Sequence, residues 1–261
     1  MTLPESWTEV CSARAVIMGL TRYAFRREYT AAKLAAVGFT NIEVVEAFDG
    51  FHGDVDGALD ALGVKFNPGL RPGHKGCSYT MMREWKRFLD SGDEYRLFFE
   101  DDSLPHLDLG KGLGQRFWDA TPKDFDILYM GNMMGNSNPD LQEANLVVKA
   151  PTYCLHAYIL TKKGAQRLFD LASAYNKKGH ALNMLDIQLV QWQMSGELNW
   201  QCWNGTGIPR SYPTFDGGLP WQHFQDIITP EKDTGLFWQN MRVGTTLNHE
   251  TLQLTMPQYS I

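Results

Sequence analysis

Short apolar runs recur along the chain and alternate with stretches in which apolar residues return every three or four positions, a pattern that predicts strands and helices in turn. Ala13 to Leu20 (Ala-Arg-Ala-Val-Ile-Met-Gly-Leu) reads as a first strand. Arg26 to Val37 then reads as a helix, with Ala31, Leu34 and Ala35 on its apolar face and Gly38 where a C-terminal cap is expected. Ile42 to Phe48 gives a second strand that closes at Asp49-Gly50. The order β, α, β is the opening of a nucleotide-binding α/β sheet.

The stretch 50–76 is rich in glycine, contains Pro68 and Pro72, and holds at most one short helix around Val55 to Leu62; it reads as a mobile connection over the sheet edge. Helical periodicity resumes from Cys77 to Leu89, where Met81, Met82, Trp85, Phe88 and Leu89 can share a buried face. Tyr95 to Phe99 and Asp126 to Met130 read as buried strands, and Leu146 to Lys149 as a short one. A stronger strand, Tyr153 to Leu160, leads into a helix from Thr161 to Tyr175 that Thr161 can cap. Leu185 to Met194 is a further helical segment, beginning near Asp186. Trp200 to Trp221 is full of Gly, Pro and aromatics without either period, which predicts a functional loop.

One stretch carries the chemistry. Tyr95 to Asp102 (Tyr-Arg-Leu-Phe-Phe-Glu-Asp-Asp) is an aromatic run that stops at three consecutive carboxylates. In open α/β sheets ligands bind beyond the carboxyl ends of strands, where Glu100, Asp101 and Asp102 would stand. Adjacent acids repel one another unless a cation intervenes. On an extended backbone Glu100 and Asp102 would converge on one side and Asp101 on the other, and a hard divalent ion suits such a pair. A strand that merely ends in solvated acids has the same sequence.

Composition narrows the alternatives. The chain has 261 residues, 43% of them hydrophobic and 12% aromatic, which suits one globular domain with material for a polar-ligand cleft. A net charge of −6 argues against a nucleic-acid partner. Cys11, Cys77, Cys154 and Cys202 form no Cys-x-x-Cys pair, so neither a structural zinc nor a disulfide framework is indicated. No apolar run approaches the ~18 residues of a membrane span. The expectation is a cytoplasmic protein, with peripheral association with a membrane left open.

Taken in order, several short motifs resemble those of glycosyltransferase family 25, the family of lipooligosaccharide and procollagen galactosyltransferases. They are Leu20 with Arg22, Ala47-Phe48-Asp49-Gly50, Gly76-Cys77-Ser78 with Trp85, and Phe99-Glu100-Asp101-Asp102. Ala157-Tyr158-Ile159-Leu160 with Gly164-Ala165 follows, then Asp186. The resemblance runs from about Val16 to Gln188 and fades beyond. It implies a GT-A-like nucleotide-sugar transferase fold, with a mostly parallel central sheet flanked by helices. It also implies one glycosyltransferase domain over 1–261, divided at about 14–131 for the nucleotide sugar and metal and 132–261 for the acceptor.

The activity implied is transfer of a hexose, galactose or glucose, from a UDP-sugar to a glycan or protein hydroxyl with inversion, assisted by Mn²⁺ or Mg²⁺. Glu100 and Asp102 are then the metal candidates, Asp101 a hydrogen-bond acceptor for ribose or sugar hydroxyls, and Arg22 and Asp49 contacts for phosphate, ribose or base. Asp186 is the candidate general base, since inversion needs one; a plain helix cap is its alternative. His223 is the candidate late histidine ligand, with His249 and His156 behind it. Arg26 and Arg27 read as an exposed basic face. The family often carries a histidine where this chain has Met81. Trp200, Trp203, Tyr212, Phe215 and Trp221 are candidates for an acceptor platform, or equally for loop packing. Two other readings stay open: a silent nucleotide-sugar or glycan-binding protein, and a metal-dependent sugar-phosphate hydrolase.

Overall fold

The computed structural model describes residues 3–106, 108–131 and 146–204, together with the backbone of a strand at 237–239. Its centre is a seven-stranded sheet in the order β2-β1-β3-β7-β5-β8-β6. The strands are β1 (Ala15–Gly19), β2 (Ile42–Glu46), β3 (Tyr95–Glu100), β5 (Ile127–Tyr129), β6 (Val147–Val148), β7 (Ala157–Thr161) and β8 (Trp200–Trp203). Between β3 and β5 in the chain lies β4 (Ser103–Pro105), which pairs with β9 (Phe237–Gln239) as a separate two-stranded ribbon. β1 is parallel to both β2 and β3, and β5 is parallel to β8; β7 runs antiparallel to its neighbours β3 and β5, and β6 antiparallel to β8. Five of the seven strands therefore point one way, and β7 and β6 are reversed.

The sheet is covered on both faces, which explains strands that read as continuous apolar runs. Successive residues alternate between two cores. Val16, Met18, Phe98, Tyr158 and Leu160 join the side that holds Trp85, Phe88, Leu168 and Leu189. Ala15, Ile17, Leu97, Phe99, Ala157 and Ile159 join the side that holds Trp7, Leu34, Phe117 and Trp118. The first layer is built by α4 (Pro72–Leu89), α6 (Lys162–Lys177) and α7 (Leu185–Met194), the second by α1 (Trp7–Ser12), α2 (Ala24–Ala36) and α5 (Leu113–Ala120); α3 (Val55–Ala61) lies against α4.

The periodic segments form where their pattern predicts, and most of the differences lie at ends. α2 is preceded by a single 3₁₀ turn, Thr21–Tyr23, and its chain exit uses Gly38 at φ +110°, as a C-terminal glycine should. Thr161 caps α6, its Oγ1 accepting the Gly164 N–H at 2.9 Å. α4 begins five residues before Cys77, at Pro72, a residue suited to the first helical position because its missing N–H would have had no partner there. The strand expected from Tyr153 begins only at Ala157; Cys154 takes a left-handed backbone (φ 66°), which no strand tolerates. Trp200–Trp203, expected as irregular loop, is strand β8 inside the sheet.

Candidate functional site

The carboxyl ends of β1, β2 and β3 open onto a cavity of about 300 Å³. Each strand hands over a short segment: Gly19-Leu20 and then Arg22 from β1, Ala47 to Phe51 from β2, and Glu100-Asp101-Asp102 from β3. Because β7 is reversed, its amino end lies at the same edge and adds Cys154 and Leu155. The first turns of α4 and α7 complete the wall with Gly73, His74, Cys77 and Asp186. Arg22, Asp49, Glu100, Asp101, Asp102 and Asp186, predicted from sequences far apart in the chain, thus line one cavity. His223 lies outside the described residues, as do His249, Tyr212, Phe215 and Trp221.

The acids at the end of β3 do not divide as strand alternation predicts. The strand stops at Glu100, and Asp101 and Asp102 turn together toward α2. There Arg26 Nη2 meets Asp101 Oδ1 at 2.6 Å and Asp102 Oδ2 at 3.2 Å. Glu100 goes to the other side of the sheet, with the Cys77 Sγ 3.9 Å from its Oε1. Arg26 is 1% exposed, so the basic face expected at the start of α2 is at this position an internal counter-ion. Sequence gave no sign of it, since a helix starting with arginines is usually solvated; only the sheet's geometry brings position 26 beneath position 101. Thr30, one turn further along α2, donates to the Asp101 carbonyl at 2.8 Å and fixes the same turn. Gly19 is required beside it, because a Cβ there would stand 2.6 Å from Asp101 Oδ2.

Enclosure sets the electrostatics. Burial, with the charges of Asp102, Asp101 and Asp186, drives the Glu100 carboxyl well above the usual carboxylate range; Arg26 opposes this. Burial lifts Asp101 to about 7 against the pull of Arg26. Asp49, near the rim, behaves oppositely. Burial raises it, but hydrogen bonds from Arg22 and His52 outweigh that and hold it down at about 2. Arg22 also lies over the Tyr23 ring, 5.3 Å from its centroid, so the Arg22–Asp49 pair presents a preset guanidinium at the mouth.

Glycines let the wall close. Gly50 and Gly76 bring the loop after β2 and the first turns of α4 into backbone contact. A Cβ on Gly76 would stand 2.8 Å from both Gly50 N and Phe48 O, and one on Gly50 would collide with the Pro72 carbonyl. Thr80 ties the same elements, its hydroxyl donating to Gly76 O and accepting the Phe48 N–H, each at 2.8 Å. Two of the motifs picked out in the sequence, Asp49-Gly50 and Gly76-Cys77-Ser78, are therefore one contact. Met81 lines the cavity two turns beyond His74 on the same face of α4.

Other candidates fall away from the cavity. Trp200 and Trp203 are buried on β8: the Trp200 indole N–H donates to Ala150 O at 2.8 Å, and Trp203 packs edge-on to Phe117. They belong to the core and not to an acceptor platform. His156 is fully buried and gives its carbonyl to the Glu100 N–H at 2.9 Å, without lining the cavity.

The donors suit a hard divalent ion. Glu100, from the α4 side, and Asp102, from the α2 side, both line the cavity, so an ion shared by them would span the end of β3; beside them Asp101 Oδ2 is buried without a hydrogen-bond partner among the described residues. No group of three or more His, Cys, Asp or Glu side chains among the described residues forms a metal cage. That is compatible with Mg²⁺-type sites, in which one or two carboxylates bind the ion and substrate phosphates and water complete it. No described helix is long and apolar enough to cross a membrane.

No family model matches the sequence. Among solved structures, the chain is similar to a glycosyltransferase involved in the glycosylation of the major capsid of PBCV-1, at 8% identity over 93% of this chain and 100% of that one, with a TM-score of 0.43. It is similar to the galactosyltransferase LgtC in complex with donor and acceptor sugar analogues, at 11% identity over 95% and 97% of the two chains and a TM-score of 0.43. It is also similar to mouse xyloside xylosyltransferase 1, at 11% identity over 88% and 97% and a TM-score of 0.43. Likenesses this distant leave the weight of a functional reading on the cavity itself.

Proposed function

We propose that the protein is a glycosyltransferase of GT-A type, acting as a single domain, that moves a hexose from a UDP-sugar to a glycan or protein hydroxyl with inversion. One observation carries the reading. Five carboxylates (Asp49, Glu100, Asp101, Asp102 and Asp186) face two guanidiniums (Arg22 and Arg26) in one cavity at the carboxyl ends of three parallel strands. A nucleoside diphosphate could not enter such a cavity alone, because like charges in a partly buried site repel by several kcal/mol at an effective dielectric of ~20. A divalent cation would offset that repulsion.

In this reading Glu100 and Asp102 would hold Mn²⁺ or Mg²⁺, with His223 as a further candidate ligand. Such an ion would supply stabilisation of the negative charge that gathers on a departing diphosphate. Arg22, oriented by Asp49 and Tyr23, meets a phosphate oxygen with its guanidinium, and Asp49, whose Oδ1 already accepts the Phe51 N–H at 3.1 Å, has lone-pair capacity left for ribose or base. Asp101 accepts from a sugar hydroxyl while Arg26 holds it in place. Asp186 lines the same cavity from the first turn of α7 and deals with the proton of the acceptor hydroxyl.

The test is release of UDP from UDP-galactose or UDP-glucose by the purified chain with Mn²⁺, with and without sugar acceptors. Asp102→Ala should abolish release while leaving the fold intact by circular dichroism. Free phosphate in place of UDP would mark a hydrolase instead. Tight UDP-sugar binding by calorimetry with no turnover on any acceptor would mark a silent binding protein.

A further inference from the structure

His74 is the one imidazole that lines the cavity among the described residues, and it stands in the first turn of α4. The positions of α4 that line the cavity include His74, Cys77, Ser78 and Met81, spaced by three, four and seven from the first, so they form one helix face. That face also brings Cys77 to Glu100. The turn that carries His74 is held from both sides. Lys75, itself buried, bonds both Asp56 carboxylate oxygens at 2.8 and 3.0 Å, and Gly76 rests on the backbone of Gly50 and Phe48. Asp186 reaches the same cavity from the first turn of α7, where its Oδ1 accepts the Ile187 N–H at 2.8 Å.

The surroundings favour the neutral imidazole, the form able to accept a proton. Burial and the charge of Arg71 hold it below the ordinary histidine value, against the upward pull of Asp186. Arg71, which precedes α4, acts on it by charge, and it shares the cavity wall with Asp186 on α7, Glu100, Asp101 and Asp102 at the end of β3, Asp49, Arg22, and Arg26 from α2. Neither thiol nearby competes, since burial pushes Cys77 and Cys154 upward.

We propose that His74 and Asp186 act as an acid–base pair, in which the imidazole takes the proton of the acceptor hydroxyl and the carboxylate stabilises the imidazolium that forms. The proposal rests on the transferase reading and assigns the two parts of the proton's handling. A lone pair of a neutral ring nitrogen forms an N–H bond as the acceptor O–H breaks. The freed oxygen pair bonds the anomeric carbon, and the bond from that carbon to the diphosphate breaks, its electrons leaving on the phosphate oxygen. The imidazolium later returns its proton to water. A carboxylate partner for a histidine base is a common arrangement because the charge formed on the ring is otherwise unsupported in a low-dielectric site.

Two measurements test it on the full chain. The first follows the His74 ring Cε1–H by NMR through a pH titration, assigned with His74→Gln. Asp186→Asn should move the His74 midpoint downward; an unmoved midpoint would overturn the pairing whatever the enzyme's activity. The second compares steady-state kinetics. His74→Gln should lower kcat by about 10²- to 10⁴-fold, leave the donor KM within about threefold, and remove the acidic limb of the kcat–pH profile. Wild-type turnover unaffected by His74→Gln would overturn the catalytic role. Absence of UDP release from the wild type with every donor would instead sink the transferase reading, and the titration alone would still decide the pairing.

Discussion

At the scale of residues, the buried contact of Arg26 with Asp101 and Asp102 is the most consequential feature that sequence did not announce. Removing one member of a buried ion pair leaves charge without compensation, at a cost of roughly 3–5 kcal/mol. Arg26→Met is accordingly expected to lose about that much in urea denaturation, with Arg26→Lys recovering part; a loss within error of zero would mean the guanidinium does not clamp the turn. The raised carboxyls give a second expectation, whose sign follows from proton counting. With folded values above the unfolded ones, Glu100 and Asp101 bind protons more tightly in the native state, so stability is greatest below the unfolded values and declines as pH rises from about 4 through about 7. On the proposed metal-assisted reading, a divalent cation would compete for the same oxygens. The rise in Tm produced by Mg²⁺ should therefore be larger at pH 8 than at pH 5.5, and an equal rise at both would argue that the acids are not its ligands. Asp49 follows the opposite rule: with its folded value held at about 2, its contribution is present above the ordinary carboxylate range and fades as pH falls from about 4 to 2. The acids themselves were legible because three carboxylates ending an aromatic strand need a reason. Arg26 and His74 were not, because a basic helix start and a histidine among glycines have ordinary explanations until tertiary structure places them.

At the scale of elements, the cavity depends on α4 docking backbone to backbone on the loop after β2. Gly76→Ala would push a methyl against Gly50 N and Phe48 O, neither of which is a flexible side-chain end, and should cost about 1–3 kcal/mol as an overpacking change. Gly50→Ala is expected to be worse, because its methyl meets the Pro72 carbonyl directly. Both should also weaken donor binding, measured by calorimetry, since His74 and Cys77 ride on the same turn. Thr161→Ala removes the α6 cap, far from the cavity, and should cost about 1 kcal/mol without changing donor affinity. The strands and long helices were readable because their periods are strong. α1 and α5 were not: the first is six residues long and begins with a Ser6 cap, and the second starts from Gly112 in a left-handed conformation, so neither leaves a long amphipathic repeat. β8 was hidden for a different reason. Its Trp-Gln-Cys-Trp sequence adjoins a glycine- and proline-rich stretch and takes its strand character from pairing with β5 and β6.

At the scale of the whole molecule, the sheet was foreseen as an α/β layer with ligand chemistry at its carboxyl edge, and its strand order was not, because order is decided by long-range pairing that no local pattern encodes. That order has a consequence for how the protein comes into being. β3 is flanked by β1, which is made well before it, and by β7, which is made well after. On the ribosome, the strand that bears the acids has one neighbour available at once but must wait for residues up to Thr161 before its second edge is sealed. During that interval Leu97 to Phe99 would present an apolar, unpaired ribbon between Arg96 and Glu100, the kind of edge that recruits other chains. A fragment ending at residue 150 should thus aggregate when expressed, whereas one ending at residue 204 should remain dispersed in ultracentrifugation. The same central placement that shields the carboxylates in the finished fold leaves one edge of their strand open during synthesis until β7 has been made.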